Sequence, residues 1–153
     1  MKKTLSIFLA VLIGILTAAA GKPAKYFDYL SSAPGFDYTY VSPSMLKMMG
    51  NKVVNTDLNI RASDISSIET ITTMTEGTNT DLWESIRKLK SKMNLSTLTT
   101  KKQDNYRYDV LAKLSGDGKF ITKLMVVTQD TGENVTVVYI EGKIPLDDVF
   151  LQL

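Results

Sequence analysis

Cysteine and histidine are both missing from the 153 residues of this chain. Their absence excludes a Ser-His-Asp triad, a thiol nucleophile, a Cys/His zinc site and a near-neutral imidazole proton shuttle. It also excludes disulfides, so the fold has to be held by its core alone. What stays open is carboxylate pairs, Lys or Tyr bases, Ser with Lys, and metal sites built from oxygen ligands. An excess of one charge is nearly missing too. Lys and Arg number 18 against 16 Asp and Glu, and Lys2 and Lys3 supply the whole surplus of +2. Without those two residues the chain is neutral, which gives no global attraction for nucleic acid or an anionic membrane surface.

Lys2 and Lys3 belong to a segment with its own meaning. They form a short positive region, Leu5 to Leu16 is an apolar run broken only by Ser6 and Gly14, and Thr17-Ala18-Ala19-Ala20 supplies the small residues of a cleavage site. We read residues 1–20 as a cleaved export signal and expect a periplasmic or secreted product starting at Gly21. The apolar run is shorter than the roughly 20 residues that span a bilayer, so no transmembrane anchor is expected after cleavage. A lipid anchor would need a cysteine after the small residues. Residues 21–153 have the length of one domain that buries about two thirds of its unfolded surface.

Along that region the patterning is mixed. Ala24 to Leu30 reads as one or two helical turns ended by Pro34-Gly35. Phe36, Tyr38 and Tyr40 alternate with Asp37, Thr39 and Val41 as a strand with one aromatic face. Ser42-Pro43 through Met49-Gly50 has the cap, the first-turn proline and the terminal glycine of a short helix. Asn51 to Ser67 reads as a connection, and Ile68 to Met74 as a second strand. Asp81 to Met93 is the strongest helix, with Leu82, Ile86, Leu89 and Met93 on one stripe and Trp83 flanking it. Leu95 to Thr100 reads as a short edge strand and Lys101 to Asn105 as a polar loop. Three strands follow, Tyr106 to Leu114, Phe120 to Thr128 and Val135 to Glu141, separated by the turns Gly116-Asp117-Gly118 and Asp130-Thr131-Gly132. Leu146 to Leu151 closes as a last helical turn. The expected class is α+β: a mainly antiparallel sheet with a C-terminal three-stranded meander and helices packed on one face.

Four groups of residues carry possible chemistry. Arg87, Lys88, Lys90, Lys92, Lys101 and Lys102 form a basic run with no acid between Glu84 and Asp104. It suits docking of an anionic glycan, lipid head groups or an acidic partner, but a solvated helix face needs the same residues and is the reading we favour. Met45, Met48 and Met49 are placed at i, i+3 and i+4, where thioethers suit a soft metal such as Cu(I) and equally fill a core; core filling is the reading we favour. Tyr26, Phe27, Tyr29, Phe36, Tyr38, Tyr40, Tyr106 and Tyr108 suit stacking on sugar rings if exposed and form the helix-facing side of the sheet if buried. The acids Asp28 with Asp37, Asp57 with Asp64, and Asp147 with Asp148 are the pairs available to a glycosidase, which needs two carboxyls about 5–10 Å apart across a cleft. Adjacent positions on a helix diverge by about 100°, so Asp147 and Asp148 are poor partners.

The segments Tyr40-Val41-Ser42-Pro43-Ser44-Met45-Leu46 with Gly50, Ile68-Glu69-Thr70-Ile71, and Val138-Tyr139-Ile140-Glu141-Gly142-Lys143-Ile144 together resemble a family of exported proteins from Gram-negative bacteria, domain of unknown function 4252. The resemblance spans nearly all of the region after the signal. It implies export and the fold, and no activity, substrate or cofactor. The function expected is a non-enzymatic binding or interaction module of the cell envelope, with a carboxylate-based glycan hydrolase as the alternative. A cleft with two facing acids would favour the hydrolase.

Overall fold

The computed structural model describes residues 25–55 and 60–150. Residues 1–20, read above as an export signal, and Asp57 lie outside them. In chain order the described residues form a 3-10 turn (Asp28–Leu30), strand β1 (Phe36–Val41), helix α1 (Pro43–Met49), strands β2 (Val53–Asn55) and β3 (Ile60–Arg61), a 3-10 turn (Ala62–Asp64), strand β4 (Ile65–Thr73), a 3-10 turn (Glu76–Thr78) and helix α2 (Asn79–Met93). Strands β5 (Ser96–Gln103), β6 (Tyr106–Leu114), β7 (Phe120–Gln129) and β8 (Val135–Pro145) and helix α3 (Leu146–Phe150) complete it. Six strands make one sheet in the order β1-β4-β8-β7-β6-β5, while β2 and β3 form a separate ribbon. Every neighbouring pair in the large sheet is antiparallel. The fold is α+β.

Local chemistry explains the element ends. The Met45 N–H donates to Ser42 Oγ at 3.2 Å, Pro43 occupies the first turn of α1, and Gly50 leaves the helix at φ +60°, a region that favours glycine. Asn94, at φ 52°, ends α2 in the left-handed conformation. The 15 residues of α2 span about 22 Å, enough to carry the chain over the four inter-strand gaps of about 4.8 Å that separate β4 from β5. The meander β5-β6-β7-β8 then returns to β4.

Helices cover both faces, not one. On the first face Leu82, Ile86 and Leu89 of α2 and Phe27 and Leu30 of the N-terminal turn meet Ile71, Leu111, Met125, Val127, Val137 and Tyr139. On the second, Leu46 of α1 and Val149 of α3 meet Val110, Ala112, Leu124, Val126, Ile140 and Ile144. The reason lies in β6 and β7, where the unbroken runs Val110-Leu111-Ala112 and Leu124-Met125-Val126-Val127 are buried at both parities. A strand that is apolar on both sides requires cover on both sides.

Asn51 to Ser67 is not a plain connection. It holds β2, β3, a 3-10 turn and the first residues of β4. Register shifts between Ile65 and Ser67 where β4 meets β8, so Ile65 and Ile68 join the same cluster despite their odd spacing. Gly142 faces this irregularity. A Cβ there would lie 2.2 Å from the Asp64 carbonyl oxygen, so only glycine lets β8 approach so closely. Strand β5 also runs on to Gln103, through the expected polar loop, and the chain turns at Asp104 with φ 51°.

Candidate functional site

Helix α2 does not lie flush on the sheet at its β5 side. Trp83, Arg87 and Lys90 occupy positions i, i+4 and i+7, one stripe of the helix, and overhang the residues that β5, β6 and β7 raise toward them. Between helix and sheet is a cavity of about 410 Å³. Leu111 and Val127 form its apolar floor, Thr97 and Thr100 come from the sheet edge, and Arg107, Asp109 and Gln129 complete the wall. Shallower hollows continue it at both ends, one through Arg107 and Gln129 to Lys102 and Tyr106, the other through Arg87 and Lys90 to Ser91 and Asn94.

The polar groups of the cavity are unequally satisfied. Arg107 Nε donates to Asp109 Oδ2 at 2.6 Å, and the guanidinium carbon lies 4.9 Å from the centre of the Trp83 ring, a cation–π arrangement. Lys90 Nζ donates to Thr97 Oγ1 at 3.1 Å, across the gap between helix and edge strand. Asp109 is buried, and its second oxygen, Oδ1, has no hydrogen-bond partner. Three cations and one acid leave the site with a local excess of positive charge.

The model of the family described as Domain of unknown function (DUF4252) matches residues 28–150. The chain belongs to that family. No curated protein matches it, and no solved structure does. The matched span of this DUF4252 chain contains every residue of the cavity.

The basic run that the sequence singles out is divided by the fold. Arg87 and Lys90 line the cavity, and Lys102 lines the adjoining hollow. Lys88 points elsewhere, pairing with Glu84 at 2.7 Å one helical turn earlier. That pairing holds the Glu84 carboxyl below its ordinary pKa and the Lys88 amine above its own. Lys92 is exposed and contributes to none of these hollows. Lys101 registers with Tyr108, whose side chain packs with the second-face cluster, and so belongs to the opposite parity of β5. Sequence reasoning missed Arg107, Asp109, Thr97 and Gln129, and read Trp83 only as a flank of the helical stripe. The available signal was the parity Arg107, Asp109, Leu111 in β6, where two opposite charges precede an apolar residue on one face of one strand.

Among the described residues the main cavity is lined by one acid, Asp109, and the adjoining hollow by Asp104 and Glu133. Glu69 and Glu141 sit on neighbouring strands of the first face, diagonal in register, hence about 7–8 Å apart along the backbone. Glu69 Oε2 accepts the Tyr26 N–H at 2.8 Å, and Oε1 accepts the Phe27 N–H at 3.0 Å and the Tyr38 hydroxyl at 2.9 Å. Glu141 Oε1 accepts Lys123 Nζ and the Tyr139 hydroxyl, both at 2.8 Å. Tyr26 and Tyr139 meet edge to face at 5.1 Å over this group. Burial, with Glu141 and Glu69 beside it, pushes the Tyr26 hydroxyl up to about 12. Burial and the Glu69 carboxylate raise Tyr38 further, and burial and the Glu141 carboxylate raise Tyr139 further. These tyrosines are structural, packed and half-buried or buried, rather than an open stacking platform.

Asp28 is exposed on the N-terminal turn, while Asp37 has the opposite parity to Tyr38 in β1. Among the described residues no group of three or more Asp and Glu side chains is arranged to hold a metal ion. Met45 and Met48 are exposed, at 53% and 83%, so core filling describes only Met49, which packs against the second-face cluster. No described helix is long and apolar enough to cross a membrane.

Proposed function

We propose that this chain is an exported, non-enzymatic binding module of the cell envelope and that the cavity between α2 and β5–β7 holds an anionic ligand. One observation carries the reading: the cavity gathers Arg87, Lys90 and Arg107 around a buried acid whose free oxygen faces no protein donor. A concave hollow of about 410 Å³ suits a small ring or a glycan unit better than a flat protein surface. The cavity itself is lined by one acid, Asp109, and the two neighbouring glutamates of the same sheet face are engaged within the fold. Glu69 accepts three internal hydrogen bonds, and Glu141 accepts two. The leader-like residues 1–20 support delivery to the envelope.

Two experiments test this. Expression of the full chain in a Gram-negative host is expected to yield a periplasmic or secreted product whose mass corresponds to a start at Gly21; retention of the uncleaved chain in the cytoplasm contradicts export. Trp83 is the single tryptophan of the sequence and lies in the cavity, so its emission reports occupancy directly. Small carboxylates and phosphates should shift that emission, with weaker binding as salt rises. The double reversal Arg87→Glu with Lys90→Glu should remove the response. An emission blind to every anion, in the wild type as in the reversal, contradicts an anion site.

A further inference from the structure

The cavity is the middle of a longer groove along the outer strand β5. It runs from the hollow at Ser91 and Leu95, past Thr97 and Thr100, to the hollow at Lys102 and Tyr106. The register of β5 on β6 slips by one residue between Thr97 and Thr99, which sets Thr97, Thr100 and Lys102 opposite Leu111, Asp109 and Arg107, on the face beneath α2. Strand β5 ends the six-stranded sheet. Among the described residues its backbone bonds only to β6, so the N–H and C=O groups of its other edge are open along a strand of eight residues without a proline. The cations above this edge are unspent. Lys90 Nζ reaches across to Thr97 Oγ1 at 3.1 Å, and neither Lys90 nor Arg87 makes a salt bridge among the described residues. Strand β5 itself carries Lys101 and Lys102 and no acid. A second copy of the strand would set lysines against lysines, which disfavours pairing of the chain with itself. Apart from Asp109, which Arg107 holds, acids enter the groove only at its far end, where Asp104 and Glu133 line the hollow beside Lys102.

We infer that β5 takes up an acidic, extended segment of a partner protein as an added strand, its backbone pairing with the open edge and its acidic side chains pointing under α2 to Arg87 and Lys90. Alternate side chains of a strand lie on one face, so a segment with an acid at every second residue presents all of its acids to the groove. The eight residues of β5 extend about 26 Å, a length that only a chain-like ligand uses. An extended peptide is the chain that also carries amide donors and acceptors at the spacing of a strand edge. It is not a flat protein surface: the hollow receives its side chains and the edge holds its backbone. The Lys102 end, with Asp104 and Glu133 beside it, takes uncharged residues. This inference rests on the anion-binding reading and adds to it the strand edge and the peptide nature of the ligand.

The test uses the full-length product as expressed and titrates Trp83 emission with a capped eight-residue peptide that alternates glutamate with threonine. Its glutamine counterpart, the glutamate peptide methylated at every backbone nitrogen, acetate and inorganic phosphate are the comparisons, and hydrogen exchange of the β5 amides is followed in each mixture. The glutamate peptide is expected to bind at least about tenfold more tightly than any of the four, the factor that one hydrogen bond to a charged group supplies. It should slow exchange within residues 96–103 and leave β1, the opposite edge of the sheet, unchanged. The double reversal Arg87→Glu with Lys90→Glu should weaken the glutamate peptide at least about tenfold and leave the glutamine peptide as it was, a pair of results that misfolding does not give. If the methylated peptide binds as tightly as its parent, or exchange in β5 does not slow, the added strand is overturned while the anion site stands. A glutamine peptide that binds as tightly as the glutamate peptide overturns the acidic partner. Exchange in β5 that slows as the protein alone is concentrated makes a second copy the occupant and overturns it too. If neither the peptides nor the small anions move emission or exchange, both readings fall.

Discussion

Glu69 and Asp109 are the two acids buried among the described residues, both on the sheet face that carries α2, and the fold treats them in opposite ways. Glu69 lies three strands from Asp109, about 14 Å across the sheet. It spends both oxygens on its own chain: the amides of Tyr26 and Phe27 and the Tyr38 hydroxyl converge on it, latching the N-terminal segment to β4 across more than forty residues of sequence. Asp109 spends one oxygen on Arg107 and leaves the other buried without a partner. A satisfied buried acid is a structural clamp, whereas a half-satisfied one carries an open acceptor that the fold has to offset elsewhere. The contrast teaches that burial of a carboxylate does not by itself fix what the carboxylate does for the fold.

The largest effect that can break this comparison is at Glu69. Glu69→Ala strands two backbone N–H groups and a hydroxyl and should lower stability by about 3 kcal/mol in urea unfolding; a loss below about 1 kcal/mol would mean that the latch is ornamental. Next is Arg107→Ala, which leaves Asp109 buried with no partner and should cost about 2 kcal/mol, reduced from the fully buried case because the Arg107 side chain is 39% exposed. The double variant Arg107→Ala with Asp109→Ala should be less destabilised than the single one, since the orphaned charge goes with it. Equal or greater loss in the double variant contradicts this.

Alkaline pH separates the regions more gently. The hydroxyl of Tyr26, held at about 12 in the fold against 10.0 when unperturbed, keeps its proton in the native state while the unfolded chain loses it. Stability from this group is therefore complete below pH 10 and falls as pH rises toward 12. Tyr38 and Tyr139 shift in the same direction. Circular dichroism against pH should show the loss, and Tyr26→Phe should flatten it between those limits; an unchanged slope in the variant contradicts the assignment. The smallest effect belongs to Lys88→Ala. Its bridge to Glu84 is solvent-exposed, so neither the unfolding midpoint nor ligand-dependent Trp83 emission should move.

Legibility in the sequence followed how local each cause is. The cap at Ser42, the proline at Pro43 and the stripe Leu82, Ile86, Leu89 act within one or two turns, and the sequence alone places α1 and α2 within two residues of their ends. The strands of the meander were legible for the same reason, through alternation and turn residues. Cover on both faces was written in the unbroken run Leu124 to Val127, which alternation alone does not read. The start of β4 was hidden by the register shift at Ile65, which breaks the period of two on which strand reading depends. As for the site, the basic run contributed Arg87, Lys90 and, at the margin, Lys102. Its other half, Arg107 with Asp109, lies two strands of the meander away from α2 in sequence and comes under the helix only because the sheet order places β6 beside edge strand β5. No periodicity within one element carries that information.

The anion site is tested most directly by titrating Trp83 emission with acetate and inorganic phosphate in the wild type, in Glu69→Gln and in the double reversal Arg87→Glu with Lys90→Glu, alongside urea unfolding of each. Glu69→Gln is expected to lose stability and bind the anions with wild-type affinity, whereas the double reversal is expected to stay folded and lose the response. A response retained in the folded double reversal, or an equal loss in Glu69→Gln, would contradict it.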